Sequence, residues 1–477
     1  MRNINFKLFI ALSILLLAVR LLFISNTLLI NDEAYYAIYA RHLAWGYVDH
    51  GPVIAYLIKF FTLIWENSFT VRLGATTLMT ILTFVLYHFG KKYFNTQVGI
   101  ILSLSITANM LFHTNSIVIT PDVPMTFFTT LAIMYYYLAY CVDKKYVYIG
   151  GIMLGLAVLS KISALFPAIG IALYPFLIKD KRHWLKNMHY YGSFIVALLI
   201  FLPFIIWNLN NDFAFVRNQG SHIYRGGGIT EFINLWLGLA IISGPLFFYY
   251  SIIRPFLNLK EWRKTSEPIQ YFTVVTIVPL GYFLAHSLFS KFELNWPAPV
   301  FLSGVFLLSL QLNRNNMKIY YAQIIYSLIL IMIITTQTFW HVLPLKGNAD
   351  ITNRYYMYEG LTDTLGTYLE NNPELQNTRI AANNFQIPSM INFYLDPALE
   401  ATCLSIGYQE TLYSFLYPNR GQKNNDFIFI KHGMGQPEFL INYFEKISPL
   451  KKFKIKRDDQ TLSNFSLWYV KNYSGEK

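Results

Sequence analysis

Cysteine is almost absent. The chain of 477 residues has two, Cys141 and Cys403, and the topology argued below puts them on opposite sides of a membrane. No internal disulfide is therefore expected, and no CxxC pair is present to suggest a redox or zinc site. Charge is scarce as well: 13% of residues are charged, against about 25% in an ordinary soluble domain. Walker loops, HExxH and GxSxG are missing from the polar loops, which removes the simplest readings as a nucleotide hydrolase, zincin or serine esterase. The N-terminus, "MRNINFKLFIALSILLLAVRLLFIS", has a basic start and an apolar run but no small-residue cleavage site after it, and it reads as a retained anchor.

What remains is apolar and aromatic. Hydrophobic residues make up 54% of the chain, aromatic ones 17%, and mean hydropathy is +0.36. This is the composition of a polytopic membrane protein, with Tyr and Trp at its wet boundaries. The formal charge of +12 suits cytoplasmic loops that fix orientation, and no nucleic-acid partner is expected.

About 20 apolar residues cross a bilayer. On that measure about eleven spans are expected: Lys7 to Phe23, Thr70 to Gly90, Val98 to Phe112, Val123 to Cys141, Tyr146 to Leu159, Ile162 to Ile178, Tyr190 to Trp207, Phe232 to Ile253, Ile269 to Leu288, Trp296 to Leu312 and Tyr320 to Trp340. Val53 to Ile64 is too short to cross and is expected to lie in the interface. Lys91, Lys92, Lys144, Lys145, Lys179, Lys181, Arg182, Lys186, Arg254, Lys260, Arg263 and Lys264 then share one side, which puts the N-terminus in the cytoplasm. The acids Asp32, Glu33, Asp49, Asp122 and Glu293 collect on the other side. After Trp340 the pattern changes to that of a small soluble α/β domain over residues 341–477, distinct from the membrane module of residues 1–340 and expected outside. A helical stretch is expected over Asn353 to Leu369, strands at "RIAAN", "DFIFIKH" and "FSLWYV", and a helix near Glu438 to Phe444.

The first outer loop reads "NDEAYYAIYARHLAWGYVDHGP". Asp32 to Trp45 is expected to form an interfacial helix capped by Asn31, with Asp32 and Glu33 in its first turn and Tyr36, Tyr39 and Leu43 on one face. "DHGP" ends that element, with Asp49 and His50 in the loop and Pro52 opening a second interfacial helix. "TPDVP" puts Asp122 between prolines, where it either caps a span or does chemistry. "LSKIS" puts Lys161 at the membrane edge, as a snorkelling lysine or a phosphate ligand. "NNDFAFVRNQGSHIYRGGGITE" supplies Arg217, His222, Arg225 and a glycine triplet expected to form a mobile loop, and "SKFELNWPAP" supplies Lys291, Glu293 and Asn295.

Acids and cations gathered on one face of a membrane suit transfer from a lipid-linked phosphate ester to a hydroxyl. A transporter or flippase of a lipid-linked sugar, the alternative class, would place its charges within the spans.

The stretches "NDEAYYAIYARHLAWGYVDHGPVIAYLI", "VRLG", "TPDVPMTFF", "GLAVLSKISALF" and "ELNWPAPVF", in that order, resemble the bacterial glycosyltransferase family 39. These GT-C fold enzymes are related to protein O-mannosyltransferases and to the lipid A aminoarabinose transferase. The likeness runs from Met1 to about Trp340. It implies a polyprenyl (undecaprenyl) phosphate sugar donor, transfer at the periplasmic face of the bacterial inner membrane, and inversion at the anomeric carbon. It implies catalytic roles for Asp32, with Glu33 beside it, and for Asp122. Lys161 would bind the donor phosphate, with Arg217, Arg225 and Lys291 as further cations. Asp49, His50, His222, Glu293 and Asn295 would lie in substrate loops. Some relatives hold a metal, for which Glu33, His50 and His222 are the candidates, so a divalent metal is a possible cofactor. "DHGP" departs from the "EKP"-type stretch of the aminoarabinose transferases. The resemblance suggests lipid A or another lipopolysaccharide component as acceptor, with protein hydroxyls as the alternative.

Overall fold

The computed structural model describes residues 6–222, 226–313, 316–395 and 400–475. Among the described residues twenty α-helices follow one another: α1 (Phe6–Ser25), α2 (Asn31–Arg41), α3 (Val53–Phe61), α4 (Ser68–Tyr93), α5 (Thr96–Thr107), α6 (Met110–Ile117), α7 (Asp122–Cys141), α8 (Val147–Ser160), α9 (Leu165–Leu177), α10 (Met188–Asn210), α11 (Ala214–His222), α12 (Ile229–Ser243), α13 (Pro245–Phe248), α14 (Arg254–Lys260), α15 (Glu267–His286), α16 (Ala298–Gln311), α17 (Met317–Trp340), α18 (Leu361–Glu370), α19 (Gln386–Tyr394) and α20 (Leu412–Leu416).

Among the described residues α1, α4, α10, α15 and α17 are each long and apolar enough to cross a membrane. Three pairs bent at a short break raise the count to eight: α5 with α6 (63°), α9 with the 3₁₀ turn Lys179–Lys186 (106°), and α12 with the helix over Pro245–Lys260 (119°). The three other expected spans coincide with α7 (20 residues), α8 (14) and α16 (14). Helices as short as α8 and α16 fall below the length of a full crossing, so length and hydropathy alone support five crossings, or up to eight where each bent pair is one span.

The chain divides into two compact units. The first holds Met1–Ser25, His50–Leu57 and Arg72–Ile333, and the second Asn26–Asp49, Ile58–Val71 and Ile334–Lys477. The stretch from Asn26 to Asp49 thus belongs with the C-terminal segment.

In the first unit the helices are held by polar contacts in an otherwise apolar interior. Arg20, on α1, is 2% exposed, and its Nη2 donates to the Thr107 carbonyl (2.7 Å) and hydroxyl (3.0 Å) at the break between α5 and α6. The break frees backbone carbonyls, and a guanidinium with donors to spare satisfies one of them.

The second unit is built on a five-stranded mixed sheet: β1 (Arg379–Ala382), β2 (Thr402–Cys403), β3 (Phe427–His432), β4 (Phe444–Arg457) and β5 (Gln460–Tyr473), in the order β2-β1-β3-β5-β4. β1 runs parallel to β2 and β3, whereas β5 is antiparallel to β3 and β4. β3 is apolar on both faces because both are buried. Ile428 and Ile430 join Leu361, Leu365 and Leu369 of α18 and Ile387 and Ile391 of α19, while Phe427 and Phe429 join Trp468 and Val470. Arg457 donates through Nη2 to the carbonyls of Gln337 (2.7 Å) and Thr338 (2.6 Å), where a cation complements the end of α17.

Two expectations need correcting. Glu438 to Phe444 is not a helix. Glu438–Leu440 is a single 3₁₀ turn, and Phe444 opens β4. The alternation of Phe453 and Ile455 with Lys452, Lys454 and Lys456 is the period of that strand. The helix expected from Asn353 begins only at Leu361, behind Gly360 in the left-handed region (φ 73°).

Candidate functional site

In the first unit, three residues from three separate loops converge. Asp122 occupies the first turn of α7 and is 3% exposed. Lys161, just past the end of α8, places Nζ 2.8 and 2.9 Å from the two Asp122 carboxylate oxygens. Asn295, between α15 and α16, donates from Nδ2 to Asp122 Oδ2 at 2.8 Å. Lys161 is therefore no snorkelling lysine: its side chain is 12% exposed and turned onto the acid. A carboxylate buried this far needs a charge and hydrogen bonds to offset lost hydration, and it has both.

The "DHGP" loop is pressed against the end of α8. A Cβ on Gly51 would stand 1.7 Å from the carbonyl oxygen of Leu159, two residues before Lys161, so only glycine fits position 51 in that contact. His50 beside it is half-buried.

The cation-bearing loops differ among themselves. Arg217 lies on α11, is exposed, and donates through Nη1 to the Asp212 carbonyl. The His222 side chain and Arg225 lie outside the described residues. Lys291 and Glu293 are exposed. The glycine triplet, expected to be mobile, is held in part: Gly227 N donates to the Phe289 carbonyl at 3.1 Å, and a Cβ there would be 2.4 Å from Ser290 N. The segment before Lys291 thus carries the loop that follows Arg225.

The acid pair belongs to the second unit, and its two members have different tasks. Helix α2 begins at Asn31 with Ile30 as its N-cap, one residue earlier than expected, and ends at Arg41 rather than Trp45, so that Leu43 lies beyond the helix and not on its face. Glu33 is 0% exposed and reaches back so that Oε2 accepts the Ile30 N–H at 3.0 Å. This is the acid's half of a capping box, which satisfies a donor that the helix leaves over. Asp32 points elsewhere. Its side chain is 34% exposed, and Oδ2 lies 3.3 Å from Arg354 Nη2. Nothing in the sequence marks Arg354, which falls in the segment that carries no motif.

Behind the pair lies an aromatic floor. The Tyr39 ring stacks on Tyr47 at 3.8 Å, and Tyr35 meets Phe385 at 4.3 Å. Leu412 N donates to the Tyr35 hydroxyl at 2.8 Å, and the Tyr39 hydroxyl donates to Asp49 Oδ2 at 3.0 Å. Burial pushes the Asp49 carboxyl up to about 6, with the negative Asp32 adding to the rise and the bonds from Tyr35 and Tyr39 opposing it. The same burial raises the Tyr35 and Tyr39 hydroxyls, so both stay protonated donors at neutral pH.

Among the described residues no group of three or more His, Cys, Asp or Glu side chains is arranged to hold a metal. Of the ligands proposed from sequence, Glu33 is occupied by its cap.

The chain matches known proteins at three levels. Residues 49–207 match the family described as dolichyl-phosphate-mannose-protein mannosyltransferase. The lipid A galacturonosyltransferase RgtD of Rhizobium johnstonii is 24% identical over 288 residues, covering 58% of this chain and 59% of that protein. The chain therefore spans less than two thirds of the length of this curated relative. ArnT from Cupriavidus metallidurans, solved in the apo state and bound to undecaprenyl phosphate, matches with a TM-score of 0.66 at 14% identity over 99% of both chains. The fold is that of ArnT, a GT-C fold, and the resemblance to glycosyltransferases holds in sequence and in architecture.

Proposed function

We propose that this chain is a membrane glycosyltransferase that moves a sugar from a polyprenyl phosphate, undecaprenyl phosphate in bacteria, to a hydroxyl of lipid A or another lipopolysaccharide component. Transfer takes place at the periplasmic face of the inner membrane, where the outer loops and the C-terminal segment lie in an eleven-span arrangement. The acceptor oxygen attacks the anomeric carbon while Asp32 takes its proton. The bond from that carbon to the phosphate oxygen breaks, its electron pair leaves with the polyprenyl phosphate, and the configuration inverts. Lys161, set by Asp122 and Asn295, balances charge on the phosphate, with Arg217, Arg225 and Lys291 as further cations. Asp49, His50, His222 and Glu293 belong to the substrate loops.

The observation that carries the roles is the division within the acid pair. Glu33 is buried and spent on a backbone N–H, while Asp32 remains partly exposed with an exposed arginine as its partner. This division favours Asp32 over Glu33 as the acid that meets an incoming hydroxyl. The fold shared with ArnT and the likeness to a lipid A galacturonosyltransferase support the donor and acceptor classes. A second reading, transfer to protein hydroxyls, rests on the match of residues 49–207 to a protein mannosyltransferase family. Mass spectrometry of lipid A and of envelope proteins, with and without the gene, separates them. Loss of a sugar mass from lipid A is expected, and loss from protein alone would favour the second reading.

A further inference from the structure

At a helix end of the first unit, and lined by none of the residues given a role in sugar transfer, lies a cavity of ≈ 340 Å³ formed by Tyr249, Arg254, Gln311, Asn313, Asn316 and Ile319, among others. Its wall includes the π-helical turn Tyr249–Ile253, an irregularity that recurs at functional sites. Arg254 is the cation of the cavity. Its only acid partner among the described residues is Glu261, at 3.6 Å and beyond hydrogen-bond range, and Nε and Nη2 lie 3.2 Å from the neutral Gln311 amide. Tyr249, Asn313 and Asn316 line the same cavity and bring a hydroxyl and two side-chain amides to it.

A partly enclosed guanidinium beside a hydroxyl and two amides has the donors that phosphate oxygens require. Free phosphate and a phospholipid headgroup would both use them. Two features favour the lipid. Ile319 is 53% exposed on the cavity wall and offers an acyl chain an apolar surface. The flanking sequence carries Lys260, Arg263, Lys264 and Lys318, the basic collar that draws anionic headgroups to the end of a span. We propose that this cavity binds the phosphate of an anionic phospholipid headgroup, as a structural lipid site separate from sugar transfer.

The test uses purified full-length protein in nanodiscs of phosphatidylcholine, titrated with phosphatidylglycerol and read by native mass spectrometry and melting temperature. Phosphatidylglycerol should bind and raise the melting temperature, and Arg254→Gln should weaken its binding about tenfold or more, the usual size for a lost charge-assisted contact. Asn313→Leu, which leaves the guanidinium in place, should weaken it less, and both variants should melt as wild type in phosphatidylcholine alone. Unchanged phosphatidylglycerol binding by Arg254→Gln overturns the site. Saturation by inorganic phosphate, with no preference for phosphatidylglycerol, overturns the lipid assignment.

Discussion

The ammonium of Lys161 bridges both carboxylate oxygens of Asp122, at 2.8 and 2.9 Å, and Asn295 holds one of them from a third loop. Three segments far apart in sequence are thereby fixed around one buried acid. The consequences for substitution follow from burial.

Lys161→Ala strands a carboxylate that is 3% exposed. Breaking a buried pair from one side costs about 3 to 5 kcal/mol, so the variant should lose stability and not merely donor binding. Lys161→Ala/Asp122→Asn should be less unstable than Lys161→Ala, because no charge is left unpaired. Thermal unfolding of the two in detergent checks the order. Donor binding is better read from Lys161→Arg, which keeps the charge but moves it.

In the proposed mechanism Arg354 positions Asp32. Both groups are substantially exposed, and a pair of that kind is worth about 0.2 to 1 kcal/mol, so Arg354→Ala should fold normally. The proposed base would lose its orientation, with kcat falling between about 10- and 100-fold and KM for the lipid donor little changed. Arg354→Lys should recover part of the loss. A wild-type kcat for Arg354→Ala would remove the C-terminal segment from the account of catalysis.

Asp49 gives a pH signature. Its folded value of about 6 stands above the ordinary 3.8, so the folded protein holds a proton that the unfolded chain releases. Stability from this group is full below about 4 and is lost as pH rises through about 6. Melting temperature measured from pH 4.5 to 7.5 should decline more steeply in wild type than in Asp49→Asn. Parallel curves would show that Asp49 titrates normally.

Much of the helical layout was legible because its signal is local. Apolar runs and the bias of Lys and Arg gave segments that coincide with α1, α4, α10, α15 and α17, and with the bent pairs. The loops that hold Asp122, Lys161 and Asn295 stood out because acids and cations are rare in this chain. That Lys161 would lie on Asp122 was not readable, since a contact across 39 positions leaves no local trace. Glu33 is an instructive case. Its place in the first turn was visible, but its role follows from a helix start one residue earlier than Asn31 suggests, which turns it into the cap partner of Ile30. Arg354 left no signal because exposed arginines in a soluble segment are ordinary. β4 was missed although its alternation with lysines was present, because Pro449 and the bulge between Pro449 and Lys451 interrupt the pattern.

The eleven-span arrangement has its own check. Reporters fused after Lys92 and Arg182 should read cytoplasmic, and one fused after Asn383 periplasmic. A cytoplasmic signal from Asn383 would contradict the orientation proposed for the C-terminal segment.

The central claim is that Asp32 takes the acceptor's proton, and purified Asp32→Asn with a polyprenyl-phosphate sugar tests it most directly. Asparagine keeps the shape and removes the charge, so the protein should fold, insert and melt close to wild type. Transfer should fall by about 10² to 10⁴, the usual loss for a general base. Glu33→Gln, measured beside it, should instead lower the melting temperature, because the carboxylate that accepts the Ile30 N–H has been replaced. Asp32→Asn enzyme that turns over the lipid-linked sugar at the wild-type rate would contradict the account.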